Sequence, residues 1–244
     1  MQEIEFKFQV PVKKRKALQK AFTLLKAEPI HLAAQYFDTA DQTLAKHCIA
    51  IRRRQENDEW KQTFKAVNSA KVLSRLELEF DIAPPETTTL DLDNYKKDYS
   101  AIYKKLKRAL GLPLPTLELL FETNIQRLRV LQDVGSSTVE IALDIGKIFE
   151  EQNSVDIFEI EFELKQGSIE DLIAFIRPWV QKYQLSLDTH SKSDYGLLAV
   201  RQQSYFSAQY QTPLVLNRSS SEVEALQSIV ANCLQHLLPN ASSI

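Results

Sequence analysis

Charged side chains in this chain recur at every second position, in phase with one another and out of phase with apolar neighbours. Glu3, Glu5 and Lys7 alternate with Ile4, Phe6 and Phe8. Arg75, Glu77 and Glu79 alternate with Leu76, Leu78 and Phe80, and Glu140 and Asp144 sit among Val139, Ile141 and Leu143. Glu159, Glu161 and Glu163 flank Ile160 and Phe162, while Arg52, Arg54, Lys65, Arg127, Arg129 and Lys192 bring cations to other segments. Carboxylates two apart on a strand point the same way and can share one hard cation. Mg²⁺ and Mn²⁺ take such oxygen donors, completed by water and phosphate. Arginine and lysine at the same spacing suit phosphoryl oxygens, arginine often bidentately and lysine as a point charge. Carboxylates repel phosphate until a metal bridges them, so both clusters in one cavity imply a metal-bound polyphosphate. His31, His47, His190 and His236 lack metal-ligand spacing and read as structural or exposed.

Period-two alternation predicts the strands that position these groups: 3–10, 34–39, 48–55, 60–67, 74–82, 125–132, 138–145 and 157–165. Helices are predicted at 11–27, opening on Pro11; at 94–110, stopped by Gly111 and Pro113; from Ser168, with Pro178 kinking or restarting it; and through 191–205. Two architectures remain open. A sheet could bury its apolar face on helices and wet its charged face, or it could curl so that the charged faces point inward. A solvated Glu-x-Glu-x-Glu face lines up like charges without compensation, which favours the curled form and a shared polyvalent ligand.

Composition narrows the alternatives. The chain has 244 residues, enough for one large domain or two modest ones, and 30 basic against 32 acidic side chains, a balance that gives no nucleic-acid footprint. Five isolated glycines exclude a phosphate-binding glycine loop. No run approaches the ~20 apolar residues of a membrane span, and the start is too charged for a signal peptide. Cys48 and Cys233 show no framework spacing, which suits a reducing, cytoplasmic setting.

The ordered segments resemble the CYTH superfamily, the triphosphate tunnel metalloenzymes. Glu3-Ile4-Glu5-Phe6-Lys7 is similar to its Glu-x-Glu-x-Lys signature, and Tyr36-Phe37-Asp38-Thr39 to its Tyr-Phe/Tyr-Asp-Thr segment. Arg52-Arg53-Arg54, Thr63-Phe64-Lys65, Arg75-Leu76-Glu77, Glu140 to Asp144, Glu159 to Glu163 and Ser191-Lys192 follow in the expected order, over roughly residues 1–200. Thr123-Asn124 before Arg127 resembles the bacterial inorganic triphosphatase branch. The resemblance implies an α+β fold: a closed antiparallel β-barrel of about eight strands with helices outside. It implies metal ligands at Glu3, Glu5, Glu161 and Glu163, with Glu159 and Asp144 as further candidates. Lys7, Arg52, Arg54, Lys65, Arg75, Arg127 and Lys192 would grip a triphosphate, and Glu5, Glu161 and Lys192 would carry the catalytic roles. The implied cofactor is Mg²⁺ or Mn²⁺, with water attacking a terminal phosphorus in line.

Other residues admit two readings. Asp38 and Thr39 either cap a turn or touch ligand. Arg53 is out of phase and reads as exterior; Arg129 is open; Glu79 reads as a strand-end ion pair, Lys61 as a surface charge. Tyr95, Tyr99 and Tyr103 read as core. The tunnel domain is expected over 1–203 and a linker over 204–218. An amphipathic helix within 219–244, opened by a capping box near Ser221, either docks on the barrel or is the first helix of a truncated CHAD module. The expected activity is metal-dependent hydrolysis of inorganic triphosphate. The alternatives are thiamine or nucleoside triphosphate hydrolysis, adenylyl cyclisation, or non-catalytic polyphosphate binding. The expected partner is a triphosphate small molecule, without nucleic acid or membrane, on a monomer or weak dimer.

Overall fold

The computed structural model describes residues 4–67, 75–90, 92, 95–96, 99–151, 153–217 and 219–241. Its elements, in chain order, are β1 (Glu5–Gln9), α1 (Val12–Leu24), β2 (Glu28–Asp38), α2 (Thr43–Lys46), β3 (Ile49–Glu56), β4 (Glu59–Val67), β5 (Arg75–Ile82) and β6 (Thr89–Leu90). They continue with α3 (Ser100–Leu110), β7 (Leu117–Val134), β8 (Ser137–Glu150), β9 (Asn153–Gln166), α4 (Ile169–Tyr183), β10 (Ser186–Leu187), α5 (Lys192–Val200) and α6 (Glu222–Ala241). All strands join one antiparallel sheet in the order β10-β1-β9-β8-β7-β2-β3-β4-β5, with β6 paired to β7. Eight of them make the long ribbon from β1 to β5 that the alternation predicts. No β1–β5 ladder is among the described pairs, and β1 spends part of its second edge on β10.

The wet-face architecture fails on burial. Asp144 is 0% exposed, Thr63 0%, Glu159 1% and Lys7 7%, so the charged face is enclosed rather than bathed in water. The opposite face carries the helices. Phe8, Val139, Ile141, Leu143, Ile160 and Phe162 pack with Leu18 and Phe22 of α1 and Leu172 and Ile176 of α4. Ile49, Ile51, Phe64 and Leu117 pack with Tyr95 and with Ile102 and Leu106 of α3. The three tyrosines read as core belong there: Tyr95 is fully buried, its hydroxyl accepting from Gln62 Nε2 at 3.0 Å, and Tyr99 and Tyr103 flank the cluster.

Pro178 does not restart its helix, since α4 runs through it from Ile169 to Tyr183. Ser168 caps that helix by accepting from the Asp171 N–H at 3.2 Å. The capping box at Ser221 also forms, Ser221 N–H donating to Glu224 Oε2 at 2.7 Å. Along α6, Val223, Leu226, Ile229, Val230, Leu234 and Leu237 remain exposed, while Asn232 and Asn240 tie residues 209–212 to the helix. No described helix is long and apolar enough to cross a membrane.

Phe162 lies at the centre of the sheet–helix layer, fully buried, its ring 5.9 Å from Phe8 and 5.7 Å from Trp179. Phe162→Ala is expected to destabilise the protein by about 3–5 kcal/mol, read as a shift of the urea unfolding midpoint.

Candidate active site

Strand register assembles the charged rows. On one row Arg127 stands beside Asp144, Asp144 beside Glu159, and Glu159 beside Gln9. On the next, Arg129, Ala142, Glu161 and Lys7 follow one another; on the third, Glu140, Glu163 and Glu5. Ala142 has almost no side chain, so the Arg127 guanidinium reaches over it. Arg127 holds Asp144 through two 2.7 Å hydrogen bonds and also donates to Glu161. Ligand oxygens of Asp144, Glu159 and Glu161 all lie within 4.8 Å of one another.

Lys192 comes to this trio from a helix that lies on the charged face, unlike α1, α3 and α4. Residue 196 is glycine at the contact: a Cβ there would sit 2.2 Å from the Phe121 ring. This close approach lets α5 rest on β7, β8 and β9. A reciprocal capping box between Ser191 and Asp194 fixes the first turn of α5. From there the Lys192 ammonium meets Asp144 at 2.7 Å, Glu161 at 2.8 Å and Glu159 Oε1.

Burial opposes every charge in this cluster, and the partners outweigh it. Asp144 stays below the ordinary aspartate range because Lys192 and Arg127 outweigh its desolvation. The same two cations hold Glu161 well below the glutamate range. Lys192 is raised well above the lysine range despite burial by Asp144, Glu159 and Glu161, and Arg127 is raised by Glu161 and Asp144. Asp144 and Glu161 are thereby held toward the ionised form, and Lys192 and Arg127 toward the charged one.

The opposite wall comes from β3, β4 and β5. Arg52 donates to Tyr36 Oη at 3.3 Å, Lys65 pairs with Glu77 at 2.9 Å, and Arg54 reaches Glu79 at 3.2 Å and Glu56 at 3.3 Å. Arg54 is shifted downward by burial first and then by the like charge of Arg52, with Arg127 adding to it. Its Nε is buried and finds no acceptor among the described residues. This Nε is thus a donor that a phosphoryl oxygen could take up. A divalent cation fits the other wall on donor chemistry: three converging carboxylates, with Glu159 Oε1 accepting no hydrogen bond even though the Lys192 ammonium lies against it.

Most of the residues singled out in the sequence lie on this face. Glu163 pairs with Lys165 at 2.6 Å, a row away from the trio, and Glu5 sits opposite it. Glu3 and the Arg75 side chain lie outside the described residues. Arg53 points outward, donating to the Thr87 carbonyl at 3.0 Å, and Arg129 pairs with Glu28 at 3.2 Å. Glu79 is a hub that also accepts from Thr63 Oγ1 at 3.0 Å, with Lys61 3.8 Å away. Asp38 is a cap: its carboxylate accepts from the N–H groups of Thr39, Leu44 and Ala45 at the start of α2. One buried carboxylate escaped sequence reasoning. Asp188 lies in an irregular stretch without alternation, and its only signal was its nearness to Lys192.

The ion cluster predicts a specific pH response in metal-free protein. Asp144 and Glu161 are depressed, so their stabilisation is present above their unfolded values, about 4, and lost as pH falls through the lower folded ones. Lys192→Met leaves the buried carboxylates short of a cation. It should cost about 3–5 kcal/mol at neutral pH and make stability fall, rather than hold, as pH rises above about 4. Urea midpoints from pH 4 to 7.5 in chelator test this, and an unchanged profile would contradict it.

Known proteins share this arrangement of segments. Residues 1–194 match the CYTH domain family. Over 206 residues the chain is 32% identical to an inorganic triphosphatase of Haemophilus influenzae, covering 81% of this chain and 55% of that protein. The chain therefore spans about half the length of the curated relative it matches. A Bacillus halodurans protein assigned as an adenylate cyclase superposes with a TM-score of 0.55 at 20% identity, over 79% of this chain and 96% of that one. A Hippeastrum protein, assigned as an adenylyl cyclase and reported with a dominant triphosphatase activity, gives the same TM-score and identity over 82% of this chain and 96% of that one. At such identity these two structures share the fold. With the family match extending over most of its length, this chain belongs to the CYTH domain family.

Proposed function

We propose that this protein is a divalent-metal-dependent triphosphatase that hydrolyses inorganic triphosphate to diphosphate and phosphate. The observation that carries this reading is the facing of the Asp144–Glu159–Glu161 trio by a basic wall on which the buried Arg54 Nε has no acceptor among the described residues. The similarity to the Haemophilus influenzae inorganic triphosphatase supports it.

Asp144, Glu159 and Glu161 would hold Mg²⁺ or Mn²⁺, with Glu3, Glu5 and Glu163 as the further ligands of a second ion. The metal supplies charge neutralisation between carboxylate and phosphoryl oxygens and makes water more acidic. The chain's own groups do the rest. Arg52, Arg54, Lys65 and Arg75 hold the non-bridging oxygens of the substrate and fix its line of attack. Lys192 and Arg127, ion-paired to the trio in the metal-free protein, turn their donors to phosphoryl oxygens as these approach. There they offset the charge that develops as the terminal P–O bond to diphosphate breaks and the bond to water oxygen forms. Glu5 and Glu161 would orient the attacking water, whose proton passes to solvent.

The test is phosphate release from tripolyphosphate, ATP and thiamine triphosphate with Mg²⁺, Mn²⁺ or chelator. Metal-dependent turnover, fastest with tripolyphosphate, is expected. Binding without turnover would leave a polyphosphate-binding module, and cyclic nucleotide from ATP would make the protein a cyclase. Glu161→Gln is expected to abolish turnover while weakening substrate binding less than Arg52→Ala does. A binding titration giving the opposite order would sink this division of roles.

A further inference from the structure

Asp188 is a buried carboxylate beside the trio that belongs neither to it nor to the opposite wall and lies outside the long strands. Its side chain is 1% exposed. It accepts from Lys7 Nζ at 3.1 Å, Gln9 Nε2 at 2.6 Å and Tyr195 Oη at 2.9 Å on one oxygen, and from the His190 N–H at 2.9 Å on the other. The backbone is pinned as well: the Asp188 N–H donates to the Lys7 carbonyl at 2.8 Å, continuing the β1–β10 ladder. His190, stacked on Phe206 with ring centroids 3.6 Å apart, covers the far side. The Lys7 ammonium is thereby boxed between Asp188, Glu159 at 2.9 Å and the Tyr195 ring at 5.3 Å.

We infer that Asp188 is a positioning residue that gives Lys7 a second anion beside Glu159, so that a divalent cation can take Glu159 without stranding the lysine. The argument is one of competing partners. Glu159 faces two ammonium groups, those of Lys7 and Lys192. If Lys7 had no other counter-charge, a metal at Glu159 would have to strip it of its only anion and strand a buried ammonium, which is costly. Asp188 is the second anion. It keeps Lys7 charged and fixed whether Glu159 faces the lysine or a metal. It also sets the phase of residues 188–191, which lead into the Ser191 cap and so to Lys192. One carboxylate outside the strands thus places both lysines that flank the trio. Outer-shell partners of this kind tune metal sites through the groups they orient.

This assignment rests on the metal-centre reading of Asp144, Glu159 and Glu161, and the experiment separates the two. Mn²⁺ binding to substrate-free protein is measured by titration calorimetry, with melting in chelator as the check on folding. Asp188→Asn keeps the shape and removes the charge, and it should weaken Mn²⁺ binding about tenfold. Asp188→Glu, which restores the charge, should recover most of that loss. Lys7→Met frees Glu159 and should tighten binding, and adding Asp188→Asn to it should change nothing further, since Asp188 acts through Lys7. Unchanged affinity in Asp188→Asn, or an equal loss in the Lys7→Met background, would overturn the assignment alone. Absence of Mn²⁺ uptake by the unaltered protein would overturn the metal-centre reading, and this assignment with it. Should Asp188→Asn fail to fold, Lys7→Met against the double variant decides: equal affinities support the assignment, and a further loss refutes it.

Discussion

The buried ion cluster of Lys192, Arg127 and Lys7 with Asp144, Glu159 and Glu161 is the constraint around which this fold is arranged. Each charge costs several kcal/mol to bring out of water, and none would be tolerated without its counterparts. Three consequences follow. The strands must lie in the register that puts Arg127, Asp144 and Glu159 on one row. A helix must enter the charged face, because no strand supplies Lys192. The sheet must curl, because a flat sheet would hydrate these groups and dissolve their mutual dependence. Such clusters are weak sources of net stability; what this one does is fix the geometry of the charged face.

The two walls are electrostatically unequal in a way that suits such a ligand. On β1, β8 and β9 the carboxylates are matched by cations of the chain itself. On β3, Arg52 and Arg54 stand side by side, and burial first, then the like charge of Arg52, push Arg54 below its ordinary range despite Glu79 and Glu56. Under the proposed function, a metal at the first wall would release internal cations toward the cavity, and a polyphosphate at the second would meet the Arg54 Nε that has no acceptor among the described residues. Charge near zero over the whole chain is the sum of two strongly opposed surfaces.

Period-two alternation made the strands and their charged face legible, because every second residue of β1, β5, β8 and β9 differs sharply in polarity from its neighbours. Elements set by context were not legible. β10 is two residues long and exists because β1 offers an edge. Asp188 carries no periodic signature, since its role comes from where Lys7, Gln9 and Tyr195 converge. Asp38 was ambiguous because a carboxylate before a short helix and one aimed at a ligand look identical until the N–H groups of Leu44 and Ala45 are found pointing at it. Pro178 reads as a break, yet a helix pressed onto the sheet by Leu172, Ile176 and Tyr183 keeps enough packing to absorb one missing N–H donor.

The strands also ran longer than predicted, and the reason lies in a reversal of polarity along the barrel. On β7, Leu128 and Val130 face outward while Arg127 and Arg129 face in; earlier on the same strand Phe121 and Ile125 face in, and Glu122, Asn124 and Gln126 face water. β8 and β9 switch at matching points, with Ile148 and Ile157 inward, and β2 turns Ile30, Leu32, Ala34 and Tyr36 inward along its whole length. The period never changes; only the buried side does. The boundary coincides with α5, whose Tyr195 and Val200 join this inner apolar cluster while Lys192 reaches the charged rows. Outer helices are needed only where the inner face is charged, and there α1 and α4 cover the apolar exterior. Where α5 fills the interior, hydrophobic burial happens inside and the exterior can be wet. The same strands therefore build a polar inner face and the apolar floor beside it, and the position of one helix decides where the first gives way to the second.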